Sequence, residues 1–240
     1  MTRIAGAALG LIFLAGCNRS PKPPAPAAKA FGAAIAEVGG SKQVAGIGAP
    51  LDQPVVVQVN DAQGTAVAGA LVEFHTAGGA TAVPDIGLTG ADGQFTTTVT
   101  LGGSADRYRV VAVTRDKTGK PVELRLDEIA LGYQQQLGRV LNDYYCARCH
   151  DPESTPERVS NHDNLTAKPH AFTEGPLLNA MSDADLASIV GHGGPALNKS
   201  PEMPPYAYTL RKTDVDALIA YIRAVADPPY RPKGLTYAKY

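Results

Sequence analysis

Apolar and polar residues alternate in short runs through the first half of the chain and recur at helical spacing through the second. Val55, Val57 and Val59 fall on one face of residues 54–60. Val72 and Phe74 share a face of residues 70–76, with Glu73 and His75 opposite. Phe95, Val99 and Leu101 point one way in residues 94–101, while Thr96, Thr98 and Thr100 point the other. Residues 107–115 are β-rich, with Val110, Val111 and Val113. A period of two means a half-buried strand, and Asp61-Ala62-Gln63-Gly64 and Ala91-Asp92-Gly93 are turn signals between such strands. Strands at this spacing with no helix between them predict an antiparallel β-sandwich.

Beyond residue 126 the period lengthens. Residues 127–145 are helix-compatible, with Leu137, Leu141 and Tyr144 on one face, and Gly138 is small enough for a second helix to cross closely. Ser182-Asp183-Ala184-Asp185 has the form of a capping box ahead of Leu186, Ile189 and Val190, with Gly191 and Gly193 as stop signals. Thr213-Asp214-Val215-Asp216 is a second box. It precedes the stripe Val215, Leu218, Ile219 and Ile222, which Pro228 and Pro229 end.

The first residues fit neither pattern. Arg3 precedes an apolar run from Ile4 to Ala15, too short to span a bilayer and of the length of a signal-peptide core. It ends in Leu14-Ala15-Gly16-Cys17, which resembles the lipobox of bacterial lipoproteins. That resemblance implies a signal peptide over 1–17, lipidation of Cys17 and anchorage to a membrane of the cell envelope. Asn18, where an Asp favours inner-membrane retention, points to the outer membrane. Pro21, Pro23, Pro24 and Pro26 make residues 18–35 an extended tether.

Composition narrows the function. Of 240 residues 44% are hydrophobic and 19% charged, so the chain has the material for a packed core. Lys and Arg number 22 against 23 Asp and Glu, a formal net charge of -1. No basic excess is present to neutralise phosphates, which excludes nucleic-acid binding as the main activity. Only three cysteines occur, Cys17, Cys146 and Cys149, so the chain is not a disulfide scaffold. No G-x-S-x-G, H-E-x-x-H, P-loop or dinucleotide fingerprint is present.

Residues 36–126 resemble the bacterial immunoglobulin-like domains of invasin- and intimin-type surface proteins. Two stretches carry this resemblance: Val59-Asn60-Asp61-Ala62-Gln63-Gly64 leading to Val67-Ala68-Gly69-Ala70, and Thr89-Gly90-Ala91-Asp92-Gly93 leading into a Thr-rich strand. It implies a spacer or docking module. His75 has no partner ligands at useful spacing and belongs to the surface.

Cys146-Ala147-Arg148-Cys149-His150 is a C-x-x-C-H motif. Thiols at that spacing can both add to one haem, with the adjacent imidazole beneath the iron. A thioredoxin-like reading needs a βαβ setting, and a zinc site needs a second ligand pair; neither is present. With these flanks, residues 127–228 resemble a class I c-type cytochrome. The resemblance rests on the motif, on Gly175-Pro176-Leu177-Leu178 as the proline turn, on Met203-Pro204-Pro205-Tyr206 as the distal loop, and on Tyr221 as the aromatic crossing Gly138. It implies one covalent haem c held by Cys146 and Cys149. His150 and Met203 are then the iron ligands, and the Pro176 carbonyl orients His150. Residues 151–174 form a longer stretch than the family's, in which His162 and His170 are alternative ligands, as is His192 further on.

The expected architecture is therefore multidomain: an all-β immunoglobulin-like sandwich followed by an all-α cytochrome c domain, with a tail at 229–240. The expected function is that of a membrane-anchored electron carrier, not an enzyme, passing single electrons between extracytoplasmic redox partners. Residues 127–240 carry 11 Lys and Arg against 14 Asp and Glu, which favours partners with a basic docking patch. Two other functions stay open. One is a haem-based gas sensor or peroxidase-like protein with a labile distal ligand. The other is an adhesion or scaffold protein working through the immunoglobulin-like domain.

Overall fold

The computed structural model describes residues 26, 28, 30–155 and 158–232. Cys17, the signal peptide and most of the tether and tail lie outside them. Among the described residues, nine strands form two sheets. β1 (Ala34–Gly39), β3 (Val55–Asn60), β7 (Gln94–Thr100) and β5 (Thr81–Val83) make one, in the order β1-β3-β7-β5. β2 (Val44–Gly46), β9 (Pro121–Leu131), β8 (Asp106–Arg115), β4 (Leu71–Thr76) and β6 (Ile86–Leu88) make the other, in the order β2-β9-β8-β4-β6. Pairing is antiparallel except between β2 and β9.

The alternation in sequence becomes the core. Val55, Val57 and Val59 of β3 are completely buried, and Val72, Phe74, Val99 and Val110 pack against them from the other strands. Aspartates close the turns: the Asp61 carboxylate accepts from the amides of Gln63 and Thr65 at 2.9 and 2.8 Å, and Asp92 accepts from Gln94 at 3.0 Å. At one end of the sandwich the Tyr108 hydroxyl donates to the Ser104 carbonyl at 2.9 Å. The tyrosine lies so close to Gly102 that a Cβ there would sit 2.6 Å from its oxygen, so only glycine fits.

β9 corrects the expected boundary. The helix predicted from Asp127 does not start there. The strand continues to Leu131, paired with β8 from Pro121 to Ala130 and with β2 at Ile129, Ala130 and Leu131. Satisfying these backbone groups on two sides outweighs the helix-compatible composition of residues 127–131. Gly132 then caps α1 (Tyr133–Leu141), its amide bonded to Gln135 Oε1 at 2.8 Å.

The expectation of an all-α second domain is also corrected. The molecule is mainly a β-sandwich, and β9 gives way to a set of short helices separated by long irregular stretches. A π-helical turn (Asn142–Cys146) leads into α2 (Ala147–His150). Then come α3 (Gly175–Leu178), α4 (Asp183–His192) and α5 (Lys212–Val225). These helices share a core of their own, with Leu178, Leu186, Val190, Leu218 and Ile222 buried together, and they also pack on the sandwich. Val225 of α5 shares a buried cluster with Ile129 and Leu131 of β9, flanked by Val44 and Phe172. Arg107 of β8 donates to the carbonyls of Ala224 and Ala226, and Arg139 of α1 donates to the Val44 carbonyl at 2.7 Å. The helical part is thus docked on the end of the five-stranded sheet.

Ser182 and Asp185 form the predicted capping box on α4, the Asp185 amide donating to Ser182 Oγ at 3.0 Å. The predicted Thr213 box is replaced: the N-cap is Arg211, two residues earlier, and Asp214 accepts from the Arg211 amide at 2.9 Å and from its guanidinium at 3.0 Å. The close crossing at Gly138 is present; a Cβ there would lie 2.1 Å from the Ala217 carbonyl oxygen and 2.7 Å from Tyr221 Cβ.

Candidate functional site

The helices enclose a cavity of about 690 Å³. Leu186 and Val190 of α4 and Leu218 and Ile222 of α5 line its floor, positioned by the stripes that the helical period predicted. Cys146, at the end of the π-helical turn, and Cys149 and His150 of α2 line one side. Met203, Pro204 and Tyr206 line another, and Leu165, Ala167, Lys168, Pro169, His170 and Phe172 a third.

The Met203 loop is held by backbone bonds to the end of α4. The Gly194 amide donates to the Met203 carbonyl at 3.1 Å, and the Tyr206 and Ala207 amides donate to Val190 and Gly191. Gly193 has a positive φ of 80°, and a Cβ on it would lie 2.7 Å from the Met203 carbonyl oxygen, so this close approach requires glycine. The Tyr206 hydroxyl donates to the Tyr145 carbonyl at 3.0 Å, tying the loop to the turn that carries Cys146.

Burial sets the chemistry of the polar groups. It pushes the Cys146 thiol up to about 12, so this sulfur stays a neutral thiol at neutral pH. It also lowers the pKa of the His150 imidazole, against the opposing pull of the His170 carbonyl. His150 Nδ1 is 2.8 Å from that carbonyl oxygen. A carbonyl only accepts, so Nδ1 carries the hydrogen and Nε2 keeps its lone pair. The ring lies against Phe172, with 4.8 Å between centroids.

The structure thus brings Cys146, Cys149, His150 and Met203 to one cavity. Pro176 is not on its wall. The turn at Gly175 opens the short helix α3 and is pinned against residues 227 and 228, where a Cβ on Gly175 would lie 2.5 Å from the Pro228 carbonyl oxygen. The Pro176 carbonyl therefore does not orient His150; that of His170 does. Among the alternative histidines His170 lines the cavity. His162 does not, and pairs with Asp163; nor does His192, which faces the Ser188 carbonyl. Phe172 and Glu202, both on the wall, had no signal in the sequence: neither belongs to a motif or a stripe.

No protein-family model matches the chain, and no curated protein sequence matches it. Solved structures do match. The D0-D1 domain of intimin is 20% identical, with a TM-score of 0.33 over 43% of this chain and 49% of that one. The D00-D0 domain of intimin is 17% identical, with a TM-score of 0.31 over 43% and 50%. The Escherichia coli adhesin FdeC is 22% identical, with a TM-score of 0.28 over 40% and 30%. The chain spans about half the length of the intimin fragments.

These findings correct the cytochrome resemblance. The three neighbours named above are adhesin domains, and nothing in the comparisons supports a fused c-type cytochrome. Among the described residues no three or more His, Cys, Asp or Glu side chains gather as a set for a metal ion. With the proline carbonyl also out of place, the haem c, its iron and the electron-carrier function are withdrawn, and the sensor and peroxidase-like readings with them.

Proposed function

We propose that this is a non-enzymatic binding protein of the cell envelope. Its immunoglobulin-like sandwich is a scaffold, and its helical part receives a bulky apolar organic ligand. The observation that carries this reading is the cavity of about 690 Å³ with its mainly aliphatic and aromatic walls. Few polar groups converge on it, the usual make-up of a site that binds by burial and orients by a few contacts. Met203 and Phe172 offer polarisable surface, and the thiols of Cys146 and Cys149 with the His150 imidazole supply the polar contacts. A buried thiol held up at about 12 is a poor nucleophile, which favours binding over covalent catalysis at Cys146.

Attachment of the sandwich to the helices supports the scaffold role, since β9 passes straight into α1 and Arg107 reaches from β8 to the end of α5. Lipidation at Cys17 would tether this unit to the envelope.

The test is a fluorescence titration of the full chain with 8-anilinonaphthalene-1-sulfonate, an apolar dye. Ala167 lines the cavity from an exposed position, so Ala167→Trp fills the space without disturbing the core. Saturable dye binding by the wild type, abolished in Ala167→Trp, is expected. Equal binding by both proteins would show that the cavity is not the site.

A further inference from the structure

Two of the cavity's walls are loops far apart in sequence, residues 165–170 and 199–204. Among the described residues, the hydrogen bonds that join these two walls all end on one carboxylate. Glu202 accepts from the Thr166 amide at 3.2 and 3.1 Å, one distance to each oxygen, and from the Ala167 amide at 3.3 Å. Ser200 holds the carboxylate in place: its hydroxyl donates to Glu202 Oε2 at 3.2 Å and accepts from the Glu202 amide at 3.2 Å.

The segment that Glu202 grips is internally braced. Lys168 Nζ donates to the carbonyls of His162, Asp163 and Leu165 at 3.4, 2.7 and 3.0 Å, so these residues hold together as one strap. The strap is fixed at both ends to the helix that carries the site. At its start the Asn161 amide donates to the Arg148 carbonyl at 2.7 Å, and Ser160 Oγ donates to the Asp151 carbonyl at 2.7 Å. At its end the His170 carbonyl accepts from His150. Only the middle depends on Glu202.

We propose that Glu202 is a clasp: it fastens the 165–168 strap across the cavity, and its release opens the path by which ligand enters and leaves. This rests on the cavity being the binding site, and it gives that site a gate. A charge-assisted bond to backbone amides suits the purpose. It is stronger than a neutral one, yet it sits at the surface, where water replaces it when the strap lifts. Both anchored ends stay in place on α2, so opening does not dismantle the wall formed by His150.

The experiment compares wild type with Glu202→Ala and Glu202→Gln in two measurements. Stopped-flow mixing with 8-anilinonaphthalene-1-sulfonate reads entry and exit, and limited digestion with a metalloprotease that cleaves on the amino side of lysine, here at Ala167–Lys168, reads exposure of the strap without any ligand. Loss of the clasp is expected to speed both dye association and cleavage before Lys168 by about tenfold in Glu202→Ala. Glu202→Gln, which keeps an acceptor but loses the charge, should fall between. Unchanged cleavage would show that Glu202 does not hold the strap. Faster cleavage with unchanged dye kinetics would show that the strap is not a gate. Dye binding that Ala167→Trp does not abolish would remove the cavity as the site, and the gate with it.

Discussion

Arg107, near the start of β8, the central strand of the five-stranded sheet, donates to the Ala226 carbonyl at 2.5 Å and to the Ala224 carbonyl at 3.2 Å. It therefore satisfies the open end of α5, where unpaired carbonyls concentrate partial negative charge. A side chain of the sandwich thus terminates the longest helix of the helical part. Arg107→Met keeps much of the aliphatic stem and removes both bonds, so it should cost about 2 kcal/mol. The loss should appear first in the helices: in urea, the far-ultraviolet helical signal should fall before the sandwich unfolds. A single coincident transition with an unchanged midpoint would mean that this contact does not couple the two parts.

Gly138 tests the packing on which the cavity floor depends. A methyl group there meets the Ala217 carbonyl at 2.1 Å, and α5 carries Leu218 and Ile222 into the cavity. Alanine is the better helix former by about 1 kcal/mol. The overlap outweighs this, and Gly138→Ala should lose about 1–3 kcal/mol net, as overpacked cores do. Dye affinity should fall in step. A stabilised Gly138→Ala protein would show that the helices are free to separate.

Cys17 lies outside the described residues, and its lipidation rests on Leu14-Ala15-Gly16-Cys17 alone. Cells fed an alkyne-tagged fatty acid should label the wild-type chain and not Cys17→Ser, and only the wild type should partition into detergent. Label retained by Cys17→Ser would place the anchor elsewhere.

The sandwich was legible because its buried positions alternate, and the valines of β3 are the clearest case. Residues 127–131 were not: Asp127 and Glu128 interrupt the apolar pattern, and nothing local says that β8 and β2 will flank them. At the site, motif spacing brought out Cys146, Cys149 and His150 and the resemblance brought out Met203; all four line one cavity. It did not name the occupant of that cavity, and the resemblance carried the cofactor and its chemistry too far. The partner of His150 was missed for a simple reason. A backbone carbonyl, that of His170, has no residue-type signature, so Pro176 was chosen by family position. Glu202 and Phe172 were invisible because their roles come from loops that approach each other only in the fold.

Glu128 is the other residue whose type conflicts with its place. It is completely buried in β9; its Oε2 accepts from the Gln43 amide at 2.7 Å, and its Oε1 has no partner. Burial pushes its carboxyl up to about 7, with Glu37 and Asp127 adding repulsion. The folded state therefore holds this proton more tightly than the unfolded chain, whose carboxyl stays near the ordinary value of 4.5. Between those two values the unfolded state loses its proton while the folded state keeps it. Glu128's contribution to stability is thus fully present below about 4.5, declines as pH rises, and is gone above about 7. The size of the shift sets the loss at about 3 kcal/mol. In Glu128→Gln the amide oxygen can still accept from Gln43, and no charge is buried. That variant should match the wild type at pH 4 and exceed it by up to about 3 kcal/mol at pH 8, read from urea midpoints across the range. A constant difference between the two proteins from pH 4 to pH 8 would show that Glu128 does not titrate in that window.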